Sequence, residues 1–214
     1  MKIFLDVDGV LIDGWHADPA RRKPWDATIE QDLGVRREVF QALFFGRRDG
    51  GRPSLMHECV SGAMDLKAAL ADVLPKAGYG GAVDEFVDYW FAKDSNVNRD
   101  VLETVQRLSV HDDVVLYLAT GQDHYRADYL WHRLALKDYF ADIFYSARLG
   151  HPKNATAFFE TVNASLAIGE TERPLFFDDQ PDIVEVANRA GWDACVFETV
   201  ADMRDHPRLR ALLA

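Results

Sequence analysis

The hydrophobic and polar positions of this chain follow two different periods, and the change of period predicts its architecture. Five short segments rich in β-branched or aromatic residues predict strands over 2–7, 114–119, 142–146, 174–178 and 193–197. Beside the last four strands, apolar residues recur at helical spacing and predict helices over 101–108, 124–135, 154–163 and 181–190. Strands that alternate with helices predict a parallel sheet with helices on both faces.

Residues 15–95 interrupt this alternation, because they carry helical periods without a strand signal. Four sets of apolar residues at helical spacing follow one another within 25–33, 39–44, 66–73 and 83–92. The expected organisation is a discontinuous core, residues 1–14 and 96–214, with a small helical bundle over the sheet edge. The predicted fold class is therefore α/β, a Rossmann-like doubly wound parallel sheet with an inserted all-helical domain.

Composition narrows the class of protein. The chain has 214 residues, of which 48% are hydrophobic and 28% are charged, and these are ordinary values for a globular protein. The net charge of −11 argues against a nucleic-acid partner, although it permits a small anionic substrate, since a bound cation can reverse the potential inside a cleft.

Cellular location is predicted from cysteine usage and apolar runs. Only Cys59 and Cys195 are present, far apart and without metal-type spacing, which fits a reducing compartment. No apolar run has the length of a membrane span or the form of a signal peptide. The expected protein is cytoplasmic and has no membrane partner, and the sequence does not indicate its oligomeric state.

Two carboxylates, Asp6 and Asp8, follow the first predicted strand, where the carboxyl ends of parallel strands bind ligands. They repel each other, so a cation is expected beside them. Gly9 then permits the chain to turn sharply away from the strand. The alternative interpretation of this segment alone is an Asp-Gly turn with solvated acids.

Three further segments lie beyond other predicted strands. Thr120 and Gly121 offer a hydroxyl and an unobstructed main-chain amide, and Lys153 offers a cation. Asp178 and Asp179 add two acids after an apolar run. Singly these are an ordinary turn, a solvated lysine and a surface acid pair, but the same sheet edge would gather all of them.

Together Asp6, Asp8, Asp178 and Asp179 provide only oxygen ligands, and this set selects Mg²⁺ over zinc. Magnesium commonly completes its coordination with water and substrate phosphate oxygens. The pattern therefore predicts a magnesium cofactor and phosphoryl transfer.

The segments DVDGV at 6–10, LAT at 118–120, Lys153 and FFDD at 176–179 resemble the four ordered motifs of haloacid dehalogenase-like (HAD) hydrolases. The resemblance spans nearly the whole chain and implies a Rossmann-like core with a mobile helical cap, residues 15–95. Two positions depart from the family pattern. Proline precedes Lys153 rather than following it, and Gly121 stands where many relatives have asparagine.

The resemblance implies a role for each matching residue. Asp6 would attack phosphorus and form an aspartyl-phosphate that water hydrolyses, while Asp8 would be the acid and base. Thr120, the Gly121 amide and Lys153 would hold the transferring phosphate oxygens.

The resemblance also implies a metal site. Magnesium would be held by Asp6, the main-chain carbonyl of Asp8 and Asp179, with Asp178 acting largely through bound water. The expected protein is then a magnesium-dependent phosphatase of a small phosphorylated metabolite, and a sugar phosphate is one candidate.

Several alternatives remain. The resembling dehalogenases carry an aromatic residue two positions after the nucleophile, so Asp8 disfavours dehalogenation. The resembling phosphonate-cleaving enzymes require a Schiff-base lysine in the cap and lack an acid at this position, so phosphonate cleavage is also disfavoured. A sugar phosphomutase on the same scaffold stays open, as does a non-catalytic member that binds phosphometabolites or a protein. The candidate substrate contacts in the insertion are Trp15, His16, Arg47, Arg48 and Arg52, although charged residues in such a Gly-rich loop are usually solvated.

Overall fold

The computed structural model describes residues 1–13 and 24–214, and Trp15 and His16 lie outside these ranges. Within them, one sheet of five parallel strands has the order β3-β2-β1-β4-β5. The strands are β1 (Lys2–Leu5), β2 (Val115–Thr120), β3 (Asp142–Tyr145), β4 (Leu175–Asp178) and β5 (Asp193–Val196). The predicted α/β class and all five predicted strands are confirmed, with ends that shift by one or two residues.

The helices of the described chain fall into two groups. Five lie within residues 29–93, after β1: α1 (Ile29–Leu33), α2 (Arg37–Phe44), α3 (Leu55–Val60), α4 (Leu66–Val73) and α5 (Val83–Lys93). Six belong to the sheet region: α6 (Arg99–Ser109), α7 (His124–Asp128), α8 (Ser146–Leu149), α9 (Thr156–Ser165), α10 (Pro181–Arg189) and α11 (Val200–Arg204). None of the described helices is long and apolar enough to cross a bilayer.

The sheet buries both faces because its strands alternate side chains between them. Ile3 and Leu5 point to a cluster that includes α6 and α11, whereas Phe4 points to a cluster that includes α9 and α10. This two-sided burial explains why the strands are apolar almost without interruption. The strand order places β1 in the centre of the sheet, so the carboxylates that follow it emerge at the middle of the carboxyl edge.

Helices α1 to α5 pack around a separate aromatic cluster. Phe40, Phe44, Phe86 and Trp90 are buried in it, which confirms that these aromatic residues belong to the interior of the helical insertion. Their rings meet at centroid distances such as 5.4 Å for Phe40–Phe44 and 5.9 Å for Phe44–Trp90. The insertion therefore has its own hydrophobic interior, distinct from the two clusters on the sheet.

Three short helices, α3, α8 and α11, escaped prediction because four to six residues carry too little periodicity. The predicted helix over 124–135 is wrong as a single α-helix. Its α-helical part ends at Asp128 and a π-helical turn, Tyr129–Arg133, follows. Both cysteines are free thiols, Cys59 buried and Cys195 half-buried.

Replacing Trp192 with alanine is expected to lower the free energy of unfolding by about 3–5 kcal/mol. Its ring is 1% exposed and lies 4.3 Å from Phe4 and 5.0 Å from Phe159, and its indole nitrogen donates to Asn163 Oδ1 at 2.7 Å. Urea unfolding would measure the loss against Val110→Ala, whose side chain is 76% exposed. Equal losses in the two variants would contradict a packing role for Trp192.

Candidate active site

Three charged side chains meet in the interior at the carboxyl edge of the sheet. Lys153 Nζ lies 2.6 Å from Asp6 Oδ2 and 2.8 Å from Asp178 Oδ2. Their side chains are only 7%, 2% and 0% exposed, so water screens this arrangement little. Asp178 is held further by the main-chain N–H of Gln180, which donates to Asp178 Oδ1 at 2.9 Å. The two carboxylates thus share one cation.

Asp179 completes a carboxylate cluster beside this ion pair. Oxygen atoms of Asp6, Asp178 and Asp179 all lie within 4.8 Å of one another. Within the described part of the chain, Oδ1 of Asp6 and Oδ1 of Asp179 are buried without a hydrogen-bond partner. Gly9 has a φ of +91°, and a Cβ there would collide with the Asp179 carboxylate. The predicted turn at Gly9 therefore also makes room for an acid of this cluster.

Burial perturbs the titration of this cluster. Desolvation raises the pKa of Asp6 to about 7, with Lys153 opposing the shift and the charge of Asp178 adding to it. Desolvation also raises the pKa of Asp178 and of Asp179. For Lys153, burial lowers the pKa, but the charges of Asp6 and Asp178 outweigh it and the net shift is upward. The cluster holds more negative charge than one lysine neutralises.

Asp8 differs from Asp6 in its surroundings, since its side chain is 54% exposed. Gln122 Nε2 donates to Asp8 Oδ2 at 2.5 Å and lies 3.4 Å from Thr120 Oγ1. Arg126 Nη2 is 3.9 Å from Asp8 Oδ1. The end of β1 is therefore followed by the buried carboxylate of Asp6 and, two residues later, by the accessible carboxylate of Asp8, which the side-chain amide of Gln122 holds.

Two cavities lie between the sheet edge and the helical insertion, and Asp8 lines both. The first, about 240 Å³, is also lined by Asp6, Thr120, Gly121 and Lys153. The second, about 490 Å³, has a wall formed by the insertion. That wall includes Trp25, Arg37, Gln41, Phe45, Met56 and Trp90. Asp8 thus stands at the junction of a small polar cavity and a larger one with aromatic walls.

Most of the site residues predicted from sequence come together. Asp6, Asp8, Thr120, Gly121 and Lys153 share the first cavity. The other two acids, Asp178 and Asp179, join the carboxylate cluster. The carboxylate of Asp8 lies outside that cluster.

The arginine candidates of the insertion do not reach this region. Arg47, Arg48 and Arg52 line neither cavity. Arg48 instead pairs with Glu58 and donates to the Pro53 carbonyl at 2.8 Å, and these contacts hold the loop that contains all three arginines. Because Arg47 and Arg48 lie away from both cavities, their contact with substrate stays a prediction, and His16 lies outside the described residues.

Other residues at the site carry weak sequence signals or none. Gln122 follows Thr120 by two positions and shares its strand-end signal, but Arg126 lies within a predicted helix. His57 and Ser61, from around the unpredicted helix α3, line the first cavity. Ser146 also lines it, and its buried hydroxyl has no hydrogen-bond partner in the described chain.

Comparison with known proteins found similar solved structures but no similar sequence. No family model and no curated protein matches the sequence. Solved structures do match. A HAD-family enzyme from Bacteroides thetaiotaomicron, in complex with magnesium and inorganic phosphate, has a TM-score of 0.67 at 18% identity, over 91% of this chain and 92% of that one.

Two further structures resemble the chain over most of its length. A protein from Porphyromonas gingivalis, described as a predicted HAD-like family hydrolase, has a TM-score of 0.66 at 19% identity, covering 98% of this chain and 97% of that one. A 2-haloacid dehalogenase from Pseudomonas syringae pv. Tomato has a TM-score of 0.57 at 19% identity, covering 92% and 85%. The chain therefore has the fold of the HAD-family hydrolases.

Proposed function

We propose that this chain is a magnesium-dependent phosphatase of the HAD superfamily, acting on a small phosphorylated metabolite in the cytoplasm. The observation that carries the proposal is the shared first cavity, where Asp6 and Asp8 face Thr120, Gly121 and Lys153. A nucleophile, an acid and three phosphate-holding groups are the parts that hydrolysis through an aspartyl-phosphate requires.

The carboxylate cluster fits Mg²⁺. Its donors are all oxygens, two of them buried without hydrogen bonds, and its charge exceeds that of Lys153. Asp6, Asp179 and the Asp8 carbonyl would hold the ion, with Asp178 acting through water. Bound there, magnesium neutralises charge between the nucleophile and the phosphate. The complex of the Bacteroides protein with magnesium supports this assignment by analogy.

In the proposed reaction, Asp6 and Asp8 have different roles. An Asp6 carboxylate oxygen forms a bond to phosphorus while the bond from phosphorus to the ester oxygen breaks, and Asp8 gives its proton to that oxygen. Asp8, now ionised, takes a proton from water, which attacks phosphorus and releases Asp6 and phosphate. Thr120, the Gly121 amide and Lys153 hold the transferring oxygens throughout.

Asp8 also favours phosphate esters over the carbon–halogen bonds cleaved by dehalogenases of the same fold. A halide leaves without a proton, whereas an alkoxide needs one, so an acid at the junction of the two cavities serves ester cleavage. The second cavity, about 490 Å³, has the volume of a small-molecule site. We therefore assign the phosphate to the first cavity and its alcohol to the second, beneath an insertion that acts as a cap.

The expected result is phosphate release from 4-nitrophenyl phosphate and from some members of a panel of sugar, acid and nucleotide monophosphates, only with magnesium present. Chelation should lower the rate by about 100-fold or more, and added Mg²⁺ should restore it. Absence of metal-dependent phosphate release across the panel would overturn the proposal. Conversion of one sugar phosphate to an isomer, without free phosphate, would instead identify a mutase.

A further inference from the structure

Gln122 is a buried amide with a contact to the candidate acid. It is 3% exposed, and its side-chain nitrogen donates to Asp8 Oδ2 at 2.5 Å. Its own main-chain carbonyl accepts from the Ala147 amide at 3.2 Å, which anchors it to the beginning of α8. An exposed carboxylate rotates freely unless it is held, so Gln122 restricts the orientation of Asp8.

Arg126, one helical turn further on, is a buried guanidinium that connects Asp8 to the helical insertion. Nη1 donates to the Phe91 carbonyl at 3.2 Å and to Ser95 Oγ at 2.8 Å, and Nη2 donates to the Asp94 carbonyl. These acceptors lie at the end of α5 and in the segment that returns to the sheet region. The same Nη2 is 3.9 Å from Asp8 Oδ1, too far for a hydrogen bond but close enough for attraction.

These contacts give the two oxygens of Asp8 different roles. Gln122 occupies Oδ2, and Oδ1 is left without a short hydrogen bond from either residue. The oxygen that carries a proton to a leaving group must lie within hydrogen-bond reach of the ester oxygen. Because Asp8 stands between the two cavities, its rotation decides whether the proton is delivered to the bond that breaks.

We propose that Gln122 and Arg126 are positioning residues for the Asp8 acid: Gln122 fixes the rotation of its carboxylate, and Arg126 ties that orientation to the docking of α5. The inference rests on the proposed phosphatase activity. According to this inference, Gln122 and Arg126 support the delivery of a proton to the leaving alcohol. They do not support the attack on phosphorus.

Aryl phosphates of similar shape separate the two steps, because 4-nitrophenolate leaves without a proton and phenolate needs one far more. Gln122→Leu is expected to lower kcat on phenyl phosphate by about 10-fold or more, and on 4-nitrophenyl phosphate by less than about 3-fold. Arg126→Met should show the same selective loss. The matched controls Gln106→Leu and Arg133→Met change exposed residues and should leave both rates unchanged.

A double-mutant cycle tests whether Gln122 acts through Asp8. In an Asp8→Asn background, Gln122→Leu is expected to cause no further selective loss on phenyl phosphate, because the proton donor is already gone. Circular dichroism and melting temperature would establish folding, and Gln122→Asn, a smaller amide, provides a second variant with the same expected selectivity.

The outcomes are distinguishable. Equal loss on both substrates, or additive loss in the Asp8→Asn background, would overturn the role of Gln122, and uniform loss in Arg126→Met would overturn the role of Arg126. A wild-type protein that releases phosphate neither from the aryl phosphates nor from any member of the panel would refute the proposed function and this inference with it. Hydrolysis of both by the wild type, without selectivity in the variants, would refute the inference alone.

Discussion

Asp6→Asn is expected to reduce phosphate release from every substrate by about 10⁴-fold or more, because it removes the oxygen that bonds to phosphorus in the proposed mechanism. Two neighbouring carboxylates are poorly placed to replace it: Asp178 is fully buried against Lys153, and Asp8 is the proposed acid, whose proton the leaving group would need. A single-turnover assay with phosphate detection would measure the residual rate. Asp112→Asn, an exposed acid between α6 and β2, is the matched control and should be fully active.

The same substitution should leave the fold intact. Because burial raises the pKa of Asp6 to about 7, its ionisation costs folding free energy, so the metal-free wild type should lose stability between about pH 4 and pH 7. Asn at position 6 removes that contribution, and the variant should be no less stable than the wild type at about pH 8 in chelator. Substantial activity in a folded Asp6→Asn protein would exclude Asp6 as the nucleophile.

The sequence was sufficient to predict the five strands and the convergence of the acids. Strands such as β1 and β4 are buried on both faces, so they appear locally as apolar runs with Asp6 or Asp178 at the end. Parallel strands place their carboxyl ends on one edge, which brings distant residues such as Lys153 beside them. Chain topology and local composition therefore determine most of the candidate site.

The remaining parts of the site depend on how the helical insertion packs against the sheet region. No local sequence pattern encodes this packing. Arg126 contacts Phe91 and Ser95, residues that precede it by 35 and 31 positions, across the boundary between insertion and sheet. His57 faces the first cavity only because a six-residue helix turns it there. The charge of Arg48 predicts a contact with an anionic substrate, but Glu58 lies near enough to pair with it.

Lys153→Met is expected to have the largest combined effect on activity and stability. In the proposed mechanism it removes a group that holds phosphate, and this loss should cost about 10²- to 10³-fold in kcat. It also leaves Asp6 and Asp178 buried without their shared cation, and removing one member of such a set lowers the free energy of unfolding by about 3–5 kcal/mol. Thermal unfolding in chelator at about pH 8 would measure the loss, with exposed Lys137→Met as the control.

Magnesium should partly replace the lost lysine charge. A cation bound by Asp6 and Asp179 supplies positive charge where Lys153 had supplied it, so saturating Mg²⁺ is expected to raise the melting temperature of Lys153→Met more than that of the wild type. Adding Asp178→Asn to the variant should recover part of the stability in chelator, because only one buried carboxylate then lacks a partner. If neither magnesium nor Asp178→Asn restores stability, electrostatic repulsion is not the cause of the loss. The lysine stem would then act through packing alone.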